Sequence, residues 1–337
     1  MARQAHPPSR TRAPGGHRIL IVKLSSFGDL FHALPAAHCL KVGLNASLDW
    51  VTQKEYVDLV RCFTDVDRVV AFPRRSVASG IAPFLRELRA ARYDLVVDLQ
   101  GLLKSAWITR MARAKRRLGP SFAREGSFVF YSAVAGKPNR ARHAVEQILD
   151  VADYLRLPRT PVRFPVRFPA EPTGHPSPRV ALVPFSRWET KNWPASFFGE
   201  VARQLRARVG ATIFLVGGAD SVPVCAEIEG VAGPAVNQAG KLSLVRTGSL
   251  LAEMDLVIGN DSGPIHMAAA LGVPVLGIYG PTDPAKTGPY GPKSRTLVAE
   301  GPCRPCFGRK CRRGDLCCMT GITPERVSDA ALAILNP

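Results

Sequence analysis

Nowhere in this 337-residue chain do about 20 apolar residues run uninterrupted, so no candidate membrane-spanning helix is visible. The first residues also lack the apolar core of a secretory signal, and a soluble or peripheral cytoplasmic protein is expected. Neither GxGxxG nor the Walker pattern GxxxxGKS/T occurs, which removes the main support for a simple dehydrogenase or ATPase. Acidic residues are scarce beside basic ones, 27 against 45, and the net charge of +18 points to an anionic partner. A phosphorylated lipid, a nucleotide or a nucleic acid would each satisfy it. No nucleic-acid module is recognisable, and the basic residues are spread through both halves rather than gathered in one run, so nucleic acid is not the expected partner.

What is present is an alternation. Residues 1–16, rich in Pro, Gly and Arg with almost no large apolar side chain, read as a flexible basic tail. RILIVKL (18–24) then reads as a buried parallel strand, followed by SSFGDL and a helical pattern. Further strands at 48–51, 66–73 and 93–100 alternate with helices at 55–62, 81–91 and 102–112, as βαβ crossovers require. Prolines crowd 158–178 and mark a linker, assigned to 161–178. A second series follows: RVALVPF, ATIFLVGG, DLVIGN and VPVLGIYG as strands, with helices at 194–209, 224–230 and 244–252 and over SGPIHMAAALG. The expected architecture is α/β, with doubly wound Rossmann-like domains over 17–160 and 179–322. A last helix within 323–337 is a candidate to pack back on the first domain. Two such domains would leave a ligand cleft at the carboxyl ends of their strands.

The chemistry-bearing residues cluster at those strand ends. Ser25-Ser26-Phe27-Gly28-Asp29 follows the first strand, where Gly28 permits a sharp turn and the Asp29 carboxylate can either take a proton from a hydroxyl or cap the next helix. Asn260-Asp261-Ser262-Gly263-Pro264-Ile265-His266 joins a strand to an Ala-rich helix. Its free N–H groups at Ser262 and Gly263 suit a diphosphate, and Pro264 suits the first turn. Ser186 to Pro194 brings Lys191 beside another helix start, where an anion would offset its opposition to the dipole. Gly217-Gly218-Ala219-Asp220 can admit a nucleoside or form a plain turn.

In combination, these segments resemble family-nine glycosyltransferases, the heptosyltransferases of lipopolysaccharide inner-core synthesis. The resemblance runs from Ile19 to about Val327 and rests on IVKLSSFGDLFHALPA, VVDLQGLLKSA, HAVEQ, SRWETKNWP, GNDSGPIHMAAALGVPVLGIYGPTDP and the late cysteines. It implies a GT-B fold and inverting transfer of L-glycero-D-manno-heptose from ADP-heptose to a Kdo-bearing lipid A at the inner face of the cytoplasmic membrane. No cofactor and no catalytic metal are implied. By the same match Asp29 is the base and Lys191 meets the donor phosphates. Asp261, Ser262 and Gly263 hold the diphosphate with His266 nearby, Ser186 and Arg187 adjoin the donor, and Asp220 and Leu242 lie near ribose and adenine. On the acceptor side it implicates Ser26, Gly28, Arg74, Arg75, Gln100, Lys104, Arg124 and His143, since guanidinium forks suit phosphates and carboxylates. DLQGLLKSA and HAVEQ look more like the enzyme adding the first heptose, and the cysteine-rich stretch more like the one adding the second. Another nucleotide sugar remains an alternative.

Of eight cysteines, Cys39, Cys62 and Cys225 sit in apolar segments, as buried thiols in a reducing compartment do. Cys303, Cys306, Cys311 and Cys317, with Cys318 adjoining, could form a structural zinc site. Reduced thiols or a facultative disulfide are the preferred reading, because the spacing is not a paired CxxC pattern.

Overall fold

The computed structural model describes residues 16–74, 77–159 and 161–336. The expected tail therefore lies, but for Gly16, outside the described residues, as does Arg75. By internal contacts the chain forms two units. The first comprises the residues up to Ser26, His32–Arg140 and Val145–Arg167; the second comprises Phe27–Phe31, Ala141–Ala144 and Phe168 onward.

The elements of the first half are β1 (Arg18–Val22), α1 (Phe27–His32), α2 (Leu34–Gly43), β2 (Ser47–Gln53), α3 (Val57–Val60), β3 (Arg68–Phe72) and α4 (Val77–Leu88). They continue with β4 (Tyr93–Asp98), α5 (Leu103–Met111), β5 (Ala114–Pro120), β6 (Ala133–Ala135) and α6 (Ala144–Tyr154). Six parallel strands lie in the order β3-β2-β1-β4-β5-β6. β1 is central, and Ile19–Val22 are apolar and fully buried because helices cover both faces of such a sheet. One face packs Leu20, Val22, Val70 and Val96 against Phe84 and Leu88 of α4 and Ile108 of α5.

The second half contributes β7 (Arg179–Val183), α7 (Ala195–Val209), β8 (Thr212–Leu215), α8 (Val222–Ala232), β9 (Val236–Asn237), α9 (Leu244–Ala252) and β10 (Leu256–Asn260). After these come α10 (Gly263–Ala270), β11 (Val275–Tyr279), α11 (Pro284–Thr287), β12 (Ser294–Val298), α12 (Cys317–Thr320) and α13 (Pro324–Leu335). The order β12-β11-β10-β7-β8-β9 repeats the first sheet's winding strand for strand. Each sheet thus reverses direction once, between β1 and β4 and between β7 and β10, and such switch points open a crevice at the strand ends. Among the described residues no helix is long and apolar enough to cross a membrane.

The sequence offered the last helix to the first domain, whereas α13 belongs to the second unit. Val327 and Ala331 are fully buried with Phe198 and Leu205 of α7, because the apolar stripe of α13 completes that core. The proline-rich stretch also changes unit within itself. Val166 bridges to Phe63 in the first unit, and Phe168 begins the second.

Candidate active site

At the switch point of the second sheet one side chain ties two loops together. Asn260, fully buried at the end of β10, donates from Nδ2 to the Pro184 carbonyl and accepts the Trp193 N–H at Oδ1 (3.2 Å). Asn192 closes the adjoining turn, accepting the Ser186 N–H (2.7 Å) and donating to the Ser186 carbonyl (3.1 Å). The segment after β7 is thereby held against the segment after β10, and Lys191 meets Asp261.

Lys191 Nζ lies 2.6 Å from Asp261 Oδ2 and 4.4 Å from the centre of the Trp188 ring, whose electron-rich face suits a cation. Asp261 is 7% exposed and is the hub of the loop. Thr282 Oγ1 donates to Oδ2 (2.8 Å), Tyr279 OH donates to Oδ1 (3.4 Å), and His266 Nε2 stands 3.8 Å from Oδ1. Burial alone would raise its pKa, but His266 and the charge of Lys191 more than offset burial and hold the carboxyl well below the usual carboxylate range. Tyr279, wholly buried beside that carboxylate, is pushed well above its ordinary pKa by burial and the adjacent charge. The Asp261 side chain thus holds Lys191, while the main chain that follows opens α10.

Ser262 precedes α10 with extended backbone and makes no capping bond, although that is the usual work of a serine there. Its Oγ is buried without a hydrogen-bond partner. A buried orphan hydroxyl beside the unpaired N–H groups and positive dipole end of an eight-residue helix is the arrangement that a phosphate oxygen satisfies.

The loop carrying Asp29 is packed on this helix start. A Cβ on Gly263 would fall 2.0 Å from Cδ1 of Phe27, and one on Gly28 would fall 2.6 Å from Cδ2 of His266. Both glycines therefore serve close approach, and Phe27–Phe31 groups with the second unit although β1 and Ser26 belong to the first. Asp29, half-buried, lies in the first turn of α1.

Elsewhere in this unit, Ser186 is buried and Arg187 exposed on the loop after β7. Asp220 is exposed beyond β8, and the Gly240 N–H donates to the Gly217 carbonyl (2.9 Å), which draws the turn before Leu242 to the loop carrying Asp220. His143 was grouped with acceptor residues of the first domain. Its segment instead joins the second unit, with Nε2 3.1 Å from the Gly288 carbonyl and the ring against Tyr290.

The first sheet shows the same device at its own switch point. Gln100 Oε1 accepts the Leu24 and Ser25 N–H groups, both at 3.2 Å, so this residue braces the end of β1. Arg74 donates to Gln53 Oε1 (3.3 Å), Lys104 Nζ lies over the Phe72 ring (5.9 Å), and the Arg124 N–H donates to the Gly101 carbonyl (2.8 Å). Arg74, Lys104 and Arg124 are exposed, and Ser26 is half-buried, all at the carboxyl ends of the strands. Asp98, fully buried, shapes the turn by accepting the Gln100 and Gly101 N–H groups and the Tyr131 hydroxyl, and burial raises its pKa.

The late cysteines are free thiols: Cys303 and Cys306 exposed, Cys311 and Cys317 half-buried, Cys318 buried. Main-chain N–H donors from Leu316, Arg313 and Gly314 lower Cys311, while burial pushes Cys318 up to about 11. Among the described residues no three His, Cys, Asp or Glu side chains gather as a metal-holding set. Trp188, Asn192 and Asn260 had no assigned site role in the sequence, although all three lie in motifs that drew attention there. Gly259 beside Asn260, and Pro194 two positions after Asn192, were the available signal.

Comparison with known proteins bears on the whole constellation. The description Glycosyltransferase family 9 (heptosyltransferase) matches residues 81–316. Lipopolysaccharide heptosyltransferase 1 of Pseudomonas aeruginosa is 30% identical over 94% of this chain and 98% of that protein. The Escherichia coli protein of the same description is 32% identical over 84% and 92%. Among solved structures, the E. coli heptosyltransferase WaaC, known with ADP and with ADP-2-deoxy-2-fluoro heptose, superposes with a TM-score of 0.76 at 26% identity, covering 94% of this chain and 99% of that one.

Proposed function

Because this chain belongs to glycosyltransferase family 9, we propose that it moves L-glycero-D-manno-heptose from ADP-heptose to the Kdo-bearing inner core of lipopolysaccharide, adding the first heptose with inversion. The relatives named heptosyltransferase 1 and the ADP-bound structure support that choice of reaction and donor. The observation that carries the mechanism is the packing of Phe27 and Gly28 on Gly263 and His266, which sets the first turn of α1 beside an anion-receptive helix start.

In this mechanism Asp29 removes the proton of an acceptor hydroxyl as its oxygen attacks the anomeric carbon. The bond from that carbon to the diphosphate breaks, and ADP leaves with the electron pair. Lys191, the Ser262 hydroxyl and the first N–H groups of α10 then stabilise the charge that develops on the departing phosphate. Asp220 and Leu242 face the nucleoside. Arg74, Lys104 and Arg124 take the acceptor's phosphates and carboxylates: the planar guanidinium groups of the two arginines donate several bonds at once, and Lys104 adds a compact positive charge. The enzyme works as a cytoplasmic peripheral protein at the inner membrane, and the charge of +18 favours that anionic setting.

Asp29→Ala tests the assignment: turnover falls at least about 100-fold, the low end of general-base contributions, while ADP affinity is little changed. Near-normal turnover in that variant rules out Asp29 as the base. Mass analysis of products from ADP-heptose and truncated acceptors, one lacking heptose and one carrying the first, separates first from second transfer.

A further inference from the structure

A hollow of the first unit lies at the end of its sheet remote from Asp98 and Pro120. It is a cavity of about 730 Å³ beside the starts of β4 and β5. Arg89 and Arg92 come from the turn between α4 and β4. Arg110, Arg113, Lys115 and Arg117 come from the end of α5 and the beginning of β5. Tyr93, Met111, Ala112 and Ala114 complete the lining, and a second hollow of about 490 Å³ shares Arg89 and Arg113.

Among the described residues the only carboxylate in the lining is Asp94, and it is already engaged. Lys115 Nζ lies 2.8 Å from one oxygen, and the Arg18 N–H donates to the other at 2.9 Å. Arg117 is committed as well, donating to the Thr109 and Ala112 carbonyls at 3.2 and 3.0 Å where α5 ends. The side chains of Arg89, Arg92, Arg110 and Arg113 make no ion pair with a carboxylate among the described residues, and all four are exposed.

Six cations against one carboxylate in a concave surface repel one another unless an anion joins them. Burial and the charge of Arg110 both depress the pKa of Arg117, which marks that repulsion. The helix carbonyls that offset such charge at the end of α5 are those Arg117 already uses. Guanidinium forks select phosphate or carboxylate oxygens, and several converging on one hollow of this volume exceed the reach and charge of a single small anion.

We propose that this basic pocket binds an anion carrying two or more phosphate groups, at a site separate from the donor cradle. The cradle is built on β7 and β10, so occupancy of one does not require the other.

The pocket is tested by calorimetric titration of the full chain with inorganic pyrophosphate at low salt, and by co-sedimentation with vesicles of phosphatidylcholine and cardiolipin, whose headgroup carries two phosphates. Arg110→Ala/Arg113→Ala is compared with the parent, and Lys191→Ala serves as the variant that removes the donor cradle instead. Both arginines are exposed, so folding is expected to survive their loss. At least tenfold weaker pyrophosphate binding in the double-arginine variant, persisting in the Lys191→Ala background, supports a soluble phosphate ligand. Loss of vesicle binding alone identifies the phosphates as lipid headgroups. Isotherms and sedimentation indistinguishable from the parent in both assays overturn the proposal. If pyrophosphate binding depends only on Lys191 and vesicle binding is unaffected, the proposal is equally overturned.

Discussion

Asp261→Asn isolates the charge at the centre of the donor loop. Asparagine keeps the shape but offers one oxygen, so it can accept from Thr282 or from Tyr279 and not from both, and the principal loss is the ion pair with Lys191 at 2.6 Å. At an effective dielectric constant near 20 that separation corresponds to about 6 kcal/mol of gross attraction. Measured costs of removing one partner of a buried pair run nearer 3–5 kcal/mol, because the abandoned charge rehydrates in part. Lys191 is 15% exposed on its side chain and keeps the Trp188 face, so about 3 kcal/mol is expected. The pH dependence has a definite sign. The folded-state pKa of Asp261 is depressed, so its stabilisation is present above the unfolded carboxylate value of about 4 and is lost as pH falls through the folded value. Urea unfolding followed by tryptophan fluorescence therefore separates parent and variant by a constant margin above about pH 5, and the margin narrows in acid. A margin under about 1 kcal/mol at pH 7 refutes the reasoning, since it would mean that Lys191 does not depend on Asp261.

Two further substitutions read neighbouring atoms. Gly263→Ala drives a methyl into the Phe27 ring, and overpacking of that kind costs about 1–3 kcal/mol. It also raises the KM for the donor, and unchanged stability with unchanged KM would show that the contact is not maintained in solution. Ser262→Ala removes a buried hydroxyl that has no partner, so stability stays the same or rises slightly. ADP affinity, read by calorimetry, falls about tenfold if that hydroxyl completes the phosphate site, in keeping with about 1.5 kcal/mol for a hydrogen bond to a charged group. Equal affinity would remove Ser262 from the site.

The sequence by itself determined which segments become the central strands and where the chemistry collects. β1, β4, β7, β8, β10 and β11 are continuous apolar runs because they are buried on both faces, and glycine, proline and small polar residues must follow them where the chain turns. Helices over 244–252 and 324–335 were legible to the residue from their periodicity. The strands that escaped notice are the outer ones: β5 with Lys115, Arg116 and Arg117, short β6 and β9, and β12 with Ser294, Arg295 and Thr296. Partial exposure at a sheet edge permits polar residues and erases the apolar run.

Only the tertiary structure decided the partners. Lys191 and Asp261 are 70 positions apart, and their meeting depends on the β7-β10 switch point, which no local pattern encodes. The same holds for the division of labour within GNDSG, where the Asp261 side chain turns to a lysine, a threonine and a tyrosine while Ser262 is left unpaired. It holds too for α13 and for residues 141–144, which join the second unit. Burial and periodicity are properties of a segment and can be read along the chain. Which charge faces which is a property of the winding, and two sheets of identical strand order place different side chains at equivalent crossings, Gln100 in one and Asn260 in the other.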